Sequence, residues 1–233
     1  MFSFRLAFRH VVILTWLLVF SGVGCVAAEP GVERRPTFTL WQLPSQTPSQ
    51  NMSYVLRTHQ GRVLVIDGGN KGDAEYLRGF LAPLGNRVAA WFVSHPHPDH
   101  VDALTVLLKA PGSLMIEHIY GSMPVESWIA QHEPKPATHL KSVQEFKQAV
   151  TDGGLKVEEL SLGQTFRMDG MKIEIMGIKN PKITGNAINN SSIVMRVSDK
   201  HKSVLFLGDL GVEGGRKLLM TRYAKRLRSD YVQ

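Results

Sequence analysis

Six consecutive residues concentrate the side chains of this sequence that are best able to bind a metal. His95, His97, Asp99 and His100 alternate with two prolines in the segment His-Pro-His-Pro-Asp-His, which we call the histidine segment. Proline restricts its own backbone and that of the residue before it, and alternate residues of an extended chain point the same way. Neutral imidazole and carboxylate are the ligands expected for zinc, and they also suit manganese or iron. The segment therefore predicts a divalent metal site, against the alternative of a histidine-rich turn without metal.

The residues on either side of the histidine segment predict the elements that position it. Residues 88–94 form an almost continuous apolar run, which is typical of a buried central strand. Residues 101–108 have helical spacing, so a helix is expected to leave the segment. His100 would begin that helix and point back toward the other ligands.

The rest of the sequence predicts two blocks of strands with helices between and after them. This order favours two sheets packed together with helices outside. His132 and His139 lie in a polar, mostly helical stretch without metal-ligand spacing, and we predict surface positions for both. The predicted strands are 38–43, 54–58, 63–66, 115–120, 157–160, 165–168, 171–176, 192–197 and 203–207, with another beginning at 231–232. The other predicted helices are 74–84, much of 126–154, and 218–227.

Composition and charge are those of an ordinary globular chain with a basic excess. The 233 residues are 43% hydrophobic and 20% charged, and their formal net charge is +7. Residues 1–28 contain two of the arginines and no acidic residue, so the remainder carries +5. This excess permits an anionic substrate such as nucleic acid, but a role in solubility explains it equally well. The basic residues between 216 and 228 have the same two interpretations, and a solvated helix face is favoured.

Residues 1–28 are predicted to be a secretory signal peptide. Arg5 and Arg9 precede the apolar run 11–20, and small residues follow it up to Ala28, where we place the cleavage. The apolar run is short for a membrane-spanning helix. We therefore expect export to the periplasm or the cell exterior, with an uncleaved anchor through residues 11–24 as the alternative.

The sequence contains a single cysteine, Cys25, and it lies within this N-terminal segment. Lipid attachment at Cys25 is a further alternative, which would tie the protein to a membrane. In either case the folded body contains no thiol, so its chemistry must use His, Asp, Glu, Ser or water. We expect a linker at 29–36 and one domain at 37–233.

Three motifs together resemble the metallo-β-lactamase superfamily. The histidine segment resembles its HxHxDH signature. Asp67-Gly68-Gly69 resembles the first family motif, whose aspartate braces the histidines from behind, and residues 205–209 resemble a later strand that ends in Gly-Asp. The resemblance runs from about Phe38 to the C-terminus. It implies an α+β fold, a four-layer αββα sandwich in which helices flank two mixed sheets.

The resemblance also implies a role for each ligand. His95 and His97 would hold one ion, Asp99 and His100 a second, and Asp209 would bridge the two. Asp99 would in addition be the catalytic residue that orients the attacking water. The implied cofactor is zinc, as two divalent ions, with manganese or iron possible.

A closer resemblance is to the extracellular hydrolase domain of ComEC-type competence proteins and their free-standing relatives. It is carried by residues 94–104, 189–194 and 205–209. It implies hydrolysis of phosphodiesters by a metal-activated water, with an anionic small molecule or nucleic acid as substrate and no stable protein partner. Hydrolysis of a lactam, lactone or thioester is an alternative within the superfamily. An inactive or truncated metal-binding or DNA-binding module is an alternative from a different class.

The sequence departs from the family pattern at two places. Many members place a histidine just before the strand predicted at 192–197, where this sequence has Asn189, Asn190 and Ser191. Asn190 could bind metal weakly, orient a water or cap a turn. The family also places a final ligand histidine after the strand that begins at 231–232, whereas the sequence stops at Gln233. We therefore expect a domain that is truncated at its C-terminus, as a fragment, a frameshifted gene or a premature stop.

Overall fold

The strands and helices predicted around the histidine segment are present in the computed structural model, which describes residues 36–134 and 136–233. The predicted signal peptide at 1–28 and nearly all of the linker at 29–36 lie outside these residues. Both therefore stay predictions. Among the helices of the described residues, none has the length and apolar character needed to cross a membrane.

The first sheet contains the strand that leads into the histidine segment. Its strands are β1 (Phe38–Gln42), β2 (Ser53–Thr58), β3 (Val63–Asp67), β4 (Arg87–Val93), β5 (Met115–Ile116), β6 (Ile119–Gly121) and β7 (Val157–Glu159). The order is β1-β2-β3-β4-β6-β7, and β5 also pairs with β4. β1 to β3 are antiparallel and the remaining pairs are parallel. The strand predicted at 115–120 is thus divided into two short strands along β4.

The second sheet is mainly antiparallel. Its strands are β8 (Thr165–Met168), β9 (Met171–Gly177), β10 (Val194–Ser198), β11 (Ser203–Phe206) and β12 (Tyr231–Val232). They are ordered β12-β11-β10-β9-β8, and only β12 runs parallel to its neighbour among the strands described. The strand start predicted at 231–232 is confirmed, since β12 pairs with β11.

The helices confirm the sequence prediction except near the C-terminus. They are α1 (Ala74–Leu81), α2 (Pro98–Lys109), α3 (Glu126–His132), α4 (Pro136–Asp152) and α5 (Val212–Leu219). The prediction of a helix at 218–227 is wrong, because α5 ends at Leu219. The Thr221 hydroxyl donates to the Leu218 carbonyl at 2.7 Å and accepts from the Tyr223 N–H at 3.2 Å, which replaces helical hydrogen bonds with a turn.

Side-chain alternation along the strands builds four layers. In β3, Val63 and Val65 pack with the helices α1, α2 and α4, while Leu64 and Ile66 pack against the second sheet. On the other face of the second sheet, Leu218 and Tyr223 cover β9 to β11. The predicted α+β fold, a four-layer αββα sandwich of two mixed sheets flanked by helices, is confirmed.

This layering brings several strand ends to one edge of the sandwich. β3 and β4 are parallel neighbours, so Asp67 and Ser94 follow them at the same edge. The Ile193 N–H donates to the Ser94 carbonyl at 2.8 Å and so joins the start of β10 to the end of β4. The chain after β11 reaches the same edge, as the Asp209 N–H donates to Ser192 Oγ at 3.1 Å.

Asp199 joins the β10–β11 turn to Thr37, the residue before β1, through hydrogen bonds. Its carboxylate accepts hydrogen bonds from the backbone N–H groups of His201 and Lys202 and from both the N–H and the hydroxyl of Thr37. Burial raises the pKa of Asp199, but these hydrogen bonds outweigh it and lower the pKa to about 2.

We therefore expect Asp199→Ala to lower the free energy of unfolding at pH 7 by about 1–3 kcal/mol, since donors lose a charged acceptor. The folded pKa lies below the unfolded value, so the contribution is complete above the unfolded pKa and is lost as the pH falls toward 2. Urea unfolding of both proteins at pH 7 and near pH 2 measures this. An unfolding difference that is the same at both pH values would contradict it.

Candidate metal centre

Asp67 is the buried carboxylate behind the histidine segment. It ends β3 with a φ of 57°, a left-handed conformation that aspartate tolerates better than most residues. Its Oδ1 accepts from the Ser94 N–H at 2.7 Å, and its Oδ2 accepts from the Ser94 hydroxyl at 2.8 Å. The same Oδ2 lies 3.0 Å from His100 Nδ1. Asp67 thus ties the end of β4 to the first turn of α2.

His95, His100 and Asp209 each present a possible ligand atom, and these atoms lie within 4.8 Å of one another. Both histidines are fully buried. His95 Nδ1 lies 3.2 Å from Ser192 Oγ, and His95 Nε2 lies 3.1 Å from His97 Nδ1. His100 Nε2 lies 3.6 Å from Asp209 Oδ2. Three of the five ligands predicted from the sequence therefore form one group, and His97 lies directly beside it.

Asp99 is the remaining predicted ligand and the predicted catalytic residue. Its Oδ2 lies 3.7 Å from His100 Nε2 and accepts a hydrogen bond from Gln50 Nε2 at 3.1 Å. The side chains of Asp99 and Asp209 are 15% and 27% exposed, so both carboxylates border solvent. They form the accessible side of the group, whereas His95 and His100 form its buried side.

Gly208 allows Asp209 to approach the histidines. Its φ is 58°, and a Cβ at this position would lie 2.8 Å from Ser192 Oγ and 3.1 Å from Ser94 Cβ. Only glycine combines this backbone conformation with so little space. The Gly-Asp pair predicted from the sequence therefore has a steric reason in the structure.

Burial determines the protonation state of His95 and His97. It lowers the pKa of His95 well below its usual range, and together with the nearby His139 it lowers the pKa of His97 to about 4. Burial also lowers the pKa of His100, but the charge of Asp67, the nearby carboxylate of Asp209 and the hydrogen bond to Asp67 outweigh it and raise the pKa to about 10. His95 and His97 are consequently neutral at pH 7, as metal ligands must be.

Unsatisfied polar atoms test whether these residues fit a metal ion. Within 36–134 and 136–233, five buried side-chain nitrogen and oxygen atoms lack a hydrogen-bond partner, and three belong to residues at this site. They are His97 Nε2, His100 Nε2 and Asn189 Oδ1. Native proteins rarely leave such atoms unpaired. A divalent cation would satisfy nitrogen and oxygen donors of this kind, so the residues present fit it.

Asn190 caps turns rather than facing the histidines. Its Nδ2 donates to the Gly185 carbonyl at 2.7 Å, and its Oδ1 accepts from the Gly214 N–H at 3.0 Å. Of the three roles left open by the sequence, the geometry therefore supports the capping role, and a role for Asn190 beside the metal is not supported. Its neighbour Asn189 is the asparagine whose oxygen is buried without a hydrogen-bond partner.

We expect Asn190→Ala to lower the free energy of unfolding by about 1–3 kcal/mol, because it leaves the buried Gly214 N–H unpaired and removes the hydrogen bond to the Gly185 carbonyl. The number of metal ions bound per chain should not change. Chemical unfolding and elemental analysis of the folded variant measure the two effects. A variant of wild-type stability that loses metal would show instead that Asn190 is a ligand.

His139 and Glu133 lie beside the histidine segment although the sequence did not predict it. The His139 side chain is only 19% exposed and its ring centroid lies 4.4 Å from that of His97, so the predicted surface position of His139 is wrong. Glu133 Oε2 lies 3.2 Å from His139 Nδ1 and 3.9 Å from His97 Nε2. The sequence carried no signal for this contact, because only the packing of α3 and α4 brings these residues to the histidine segment. His132, by contrast, packs edge-on against Trp128.

Comparison with known proteins gives a family match and distant structural neighbours. The sequence model of the metallo-β-lactamase superfamily matches residues 46–225. No curated protein matches the chain. Among solved structures, a HARLDQ-motif mutant of a metallo-β-lactamase from Cronobacter sakazakii is 20% identical, with a TM-score of 0.44 over 72% of this chain and 60% of that one.

Two further neighbours are equally distant. The metallo-β-lactamase fold protein YhfI from Bacillus subtilis is 15% identical, with a TM-score of 0.45 over 73% of this chain and 61% of that one. Zn(2+)-bound PqqB from Methylobacterium extorquens is 13% identical, with a TM-score of 0.42 over 66% and 51%. This chain thus spans between about half and three fifths of the length of these proteins. On the family match across most of its length, together with its fold, the chain belongs to the metallo-β-lactamase superfamily, whose members are mostly hydrolases.

Proposed function

We propose that this protein is a metal-dependent hydrolase whose reaction centre is the histidine segment. The observation that carries the proposal is the convergence of His95 and His100, from the histidine segment, with Asp209, more than 100 residues later in the chain, on one partly open site. A divalent ion bound there would polarise a substrate oxygen and lower the pKa of water toward neutrality. We propose zinc, with manganese or iron as alternatives.

We assign the side chains of the site to two roles, metal binding and catalysis. His95, His97, Asp99, His100 and Asp209 are the proposed ligands. Asp99 is also the proposed catalytic group, since its carboxylate borders solvent beside His100 and is steadied by the Gln50 amide. It can orient a water and accept its proton.

Asp67 and the surrounding packing support these groups from behind. Asp67 keeps His100 Nδ1 engaged, which leaves Nε2 directed at Asp99 and Asp209. Ser192 lies against His95 Nδ1 in the same way, which leaves Nε2 directed at His97. The buried histidines therefore need little reorganisation to bind an ion.

A phosphodiester, such as DNA outside the cytoplasm, is the substrate class that we propose. The support is the resemblance of residues 94–104, 189–194 and 205–209 to ComEC-type proteins and the +5 charge outside residues 1–28. The basic C-terminal residues add little support, because Arg226 pairs with Glu174 and Lys217 with Glu213. No stable protein partner enters the proposal.

A second candidate is a module that binds metal or DNA without turnover. One observation favours it: Asn190, which stands where many superfamily members have a ligand histidine, is engaged by backbone groups. This candidate predicts a protein that binds metal or DNA but hydrolyses none of the substrate classes of the superfamily.

A substrate panel separates these possibilities. The full chain is stripped of metal, reloaded with zinc or manganese, and offered bis(4-nitrophenyl) phosphate, a chromogenic cephalosporin, a lactone and a thioester. We expect hydrolysis of the phosphodiester only, and its loss on chelation. Turnover of another compound alone would overturn the substrate class, and metal binding without any turnover would support the second candidate.

We also propose that the protein is exported, on the strength of the N-terminal sequence. Expression in a Gram-negative host should yield a periplasmic protein. Its intact mass should be that of a chain beginning at Glu29, because cleavage is expected after Ala28. Intact mass spectrometry of cell fractions measures this. A lipid on Cys25, or a membrane-bound chain that retains residues 11–24, would favour the anchored alternatives.

A further inference from the structure

A second cluster of ligand-type side chains lies where α3 and α4 meet the histidine segment. His97, Glu133 and His139 each offer one atom, and these atoms lie within 4.8 Å of one another. Glu133 follows α3 directly, and His139 lies in the first turn of α4. Neither residue belongs to the motifs that assign the site described above.

Hydrogen bonds leave one atom of this cluster unpaired: Glu133 Oε2 lies within hydrogen-bond distance of His139 Nδ1, at 3.2 Å, but His97 Nε2 has no such partner among the described residues. His97 Nε2 and Glu133 Oε2 are 3.9 Å apart, which exceeds hydrogen-bond length. Two ligands of a tetrahedral zinc ion lie about 3.3 Å apart at bond lengths of about 2.0–2.1 Å, so a shift of well under about 1 Å would bring His97 Nε2 and Glu133 Oε2 to one ion. His97 Nε2 is also one of the buried atoms that find no hydrogen-bond partner among the described residues.

Glu133 is held in place by its other oxygen. Its Oε1 accepts a hydrogen bond from the Ile188 N–H at 2.6 Å, so Oε2 is left facing the two histidines. The Glu133 side chain is only 3% exposed, whereas those of His97 and His139 are 13% and 19% exposed. The carboxylate is therefore fixed and buried, and an ion can enter past the imidazoles.

We propose that His97, through Nε2, joins Glu133 and His139 in a second divalent-metal site beside the group of His95, His100 and Asp209, so that His97 serves this second site while His95, Asp99, His100 and Asp209 hold the ion of the first. Two imidazoles and one carboxylate with an open fourth position are a ligand set of zinc sites that admit water or substrate. Ile188 immediately precedes the segment in which many superfamily members have their ligand histidine. Donors from the α3–α4 segment thus compensate for the asparagines at 189 and 190. The inference goes beyond the proposed function, because it requires metal binding and no turnover.

The test counts metal ions on the full chain. Metal-free protein is titrated with zinc in a calorimeter, and the bound metal is then measured by elemental analysis after desalting. The variants are His139→Ala and Glu133→Gln, the latter keeping an amide oxygen for the Ile188 N–H. His132→Ala is the matched control, because His132 lies in the same segment and packs against Trp128. Circular dichroism and thermal melting establish that each variant is folded.

We expect the wild type and His132→Ala to bind one more ion per chain than His139→Ala or Glu133→Gln. The ion that these two variants still bind should have the same affinity as in the wild type. Unchanged stoichiometry in folded His139→Ala would overturn the inference, even with weaker affinity, because Glu133 and His139 would then only orient His97. If that variant instead bound no metal ion at all, the proposal of a separate site would also be overturned, because the two groups would then hold metal together. A wild type that binds one ion, unaffected by these variants, leaves the proposed function standing, whereas a wild type that binds none overturns both.

Discussion

Asp209→Asn is expected to weaken zinc binding by at least about 100-fold, and phosphodiester hydrolysis should fall by a similar factor or more. The asparagine keeps the shape of the side chain but removes the charged oxygen that lies 3.6 Å from His100 Nε2. Because the carboxylate is 27% exposed and the backbone N–H of Asp209 makes the bond to Ser192, the fold should be retained. The free energy of unfolding of the metal-free chain should change by less than about 1 kcal/mol.

Calorimetric titration with zinc and the initial rate on bis(4-nitrophenyl) phosphate measure the two losses. Asp152→Asn is the matched control, since Asp152 is an exposed carboxylate at the end of α4 whose Oδ1 accepts a hydrogen bond from Gln148. That control should bind and hydrolyse like the wild type. An Asp209→Asn protein with wild-type zinc affinity would show that Asp209 is an ordinary turn residue.

Asp67→Ala is expected to lower the free energy of unfolding by about 3–5 kcal/mol even without metal. The change leaves the Ser94 N–H, the Ser94 hydroxyl and His100 Nδ1 without their shared buried acceptor. Alanine also tolerates the φ of 57° less well than aspartate. For a chain of this size the loss corresponds to a fall in melting temperature of roughly 10 °C.

Asp67→Asn separates the hydrogen bonds from the backbone strain. Asparagine accepts the left-handed conformation and keeps one acceptor oxygen, so it should lose less stability than alanine. Both variants should bind zinc more weakly than the wild type, because His100 is no longer held by a carboxylate. Thermal unfolding and zinc titration of the three proteins check this. An alanine variant within 1 kcal/mol of wild-type stability would refute the bracing role.

The parts of the fold that the sequence predicts are those decided by local pattern. The apolar run before His95 predicts β4, and the alternating segments predict the β2–β3 hairpin, because burial on one or two faces leaves a direct trace in residue order. The histidine segment predicts its own role in the same way, since its six successive residues carry the ligand spacing and the backbone restraint.

The parts that the sequence does not predict depend on contacts between distant residues. Glu133 and His139 reach His97 only because α3 and α4 pack beside the histidine segment. Asn189 is close enough to His95 to raise its pKa, whereas Asn190 is bound to backbone groups. The single helical turn Asn189–Ser191 decides this difference, and no periodicity in the sequence reveals its orientation. The end of α5 depends on the Thr221 hydroxyl, which competes with the backbone where composition favours a helix.

The proposed function requires that the histidine segment and Asp209 form a metal centre on which hydrolysis depends. The most direct test titrates the metal-free full chain with zinc while following both bound metal and hydrolysis of bis(4-nitrophenyl) phosphate. We expect the rate to rise from background in step with occupancy, and His95→Ala to remove both the rate and the metal bound beside Asp209. A chain that binds no metal, or a rate that survives complete chelation, would contradict it.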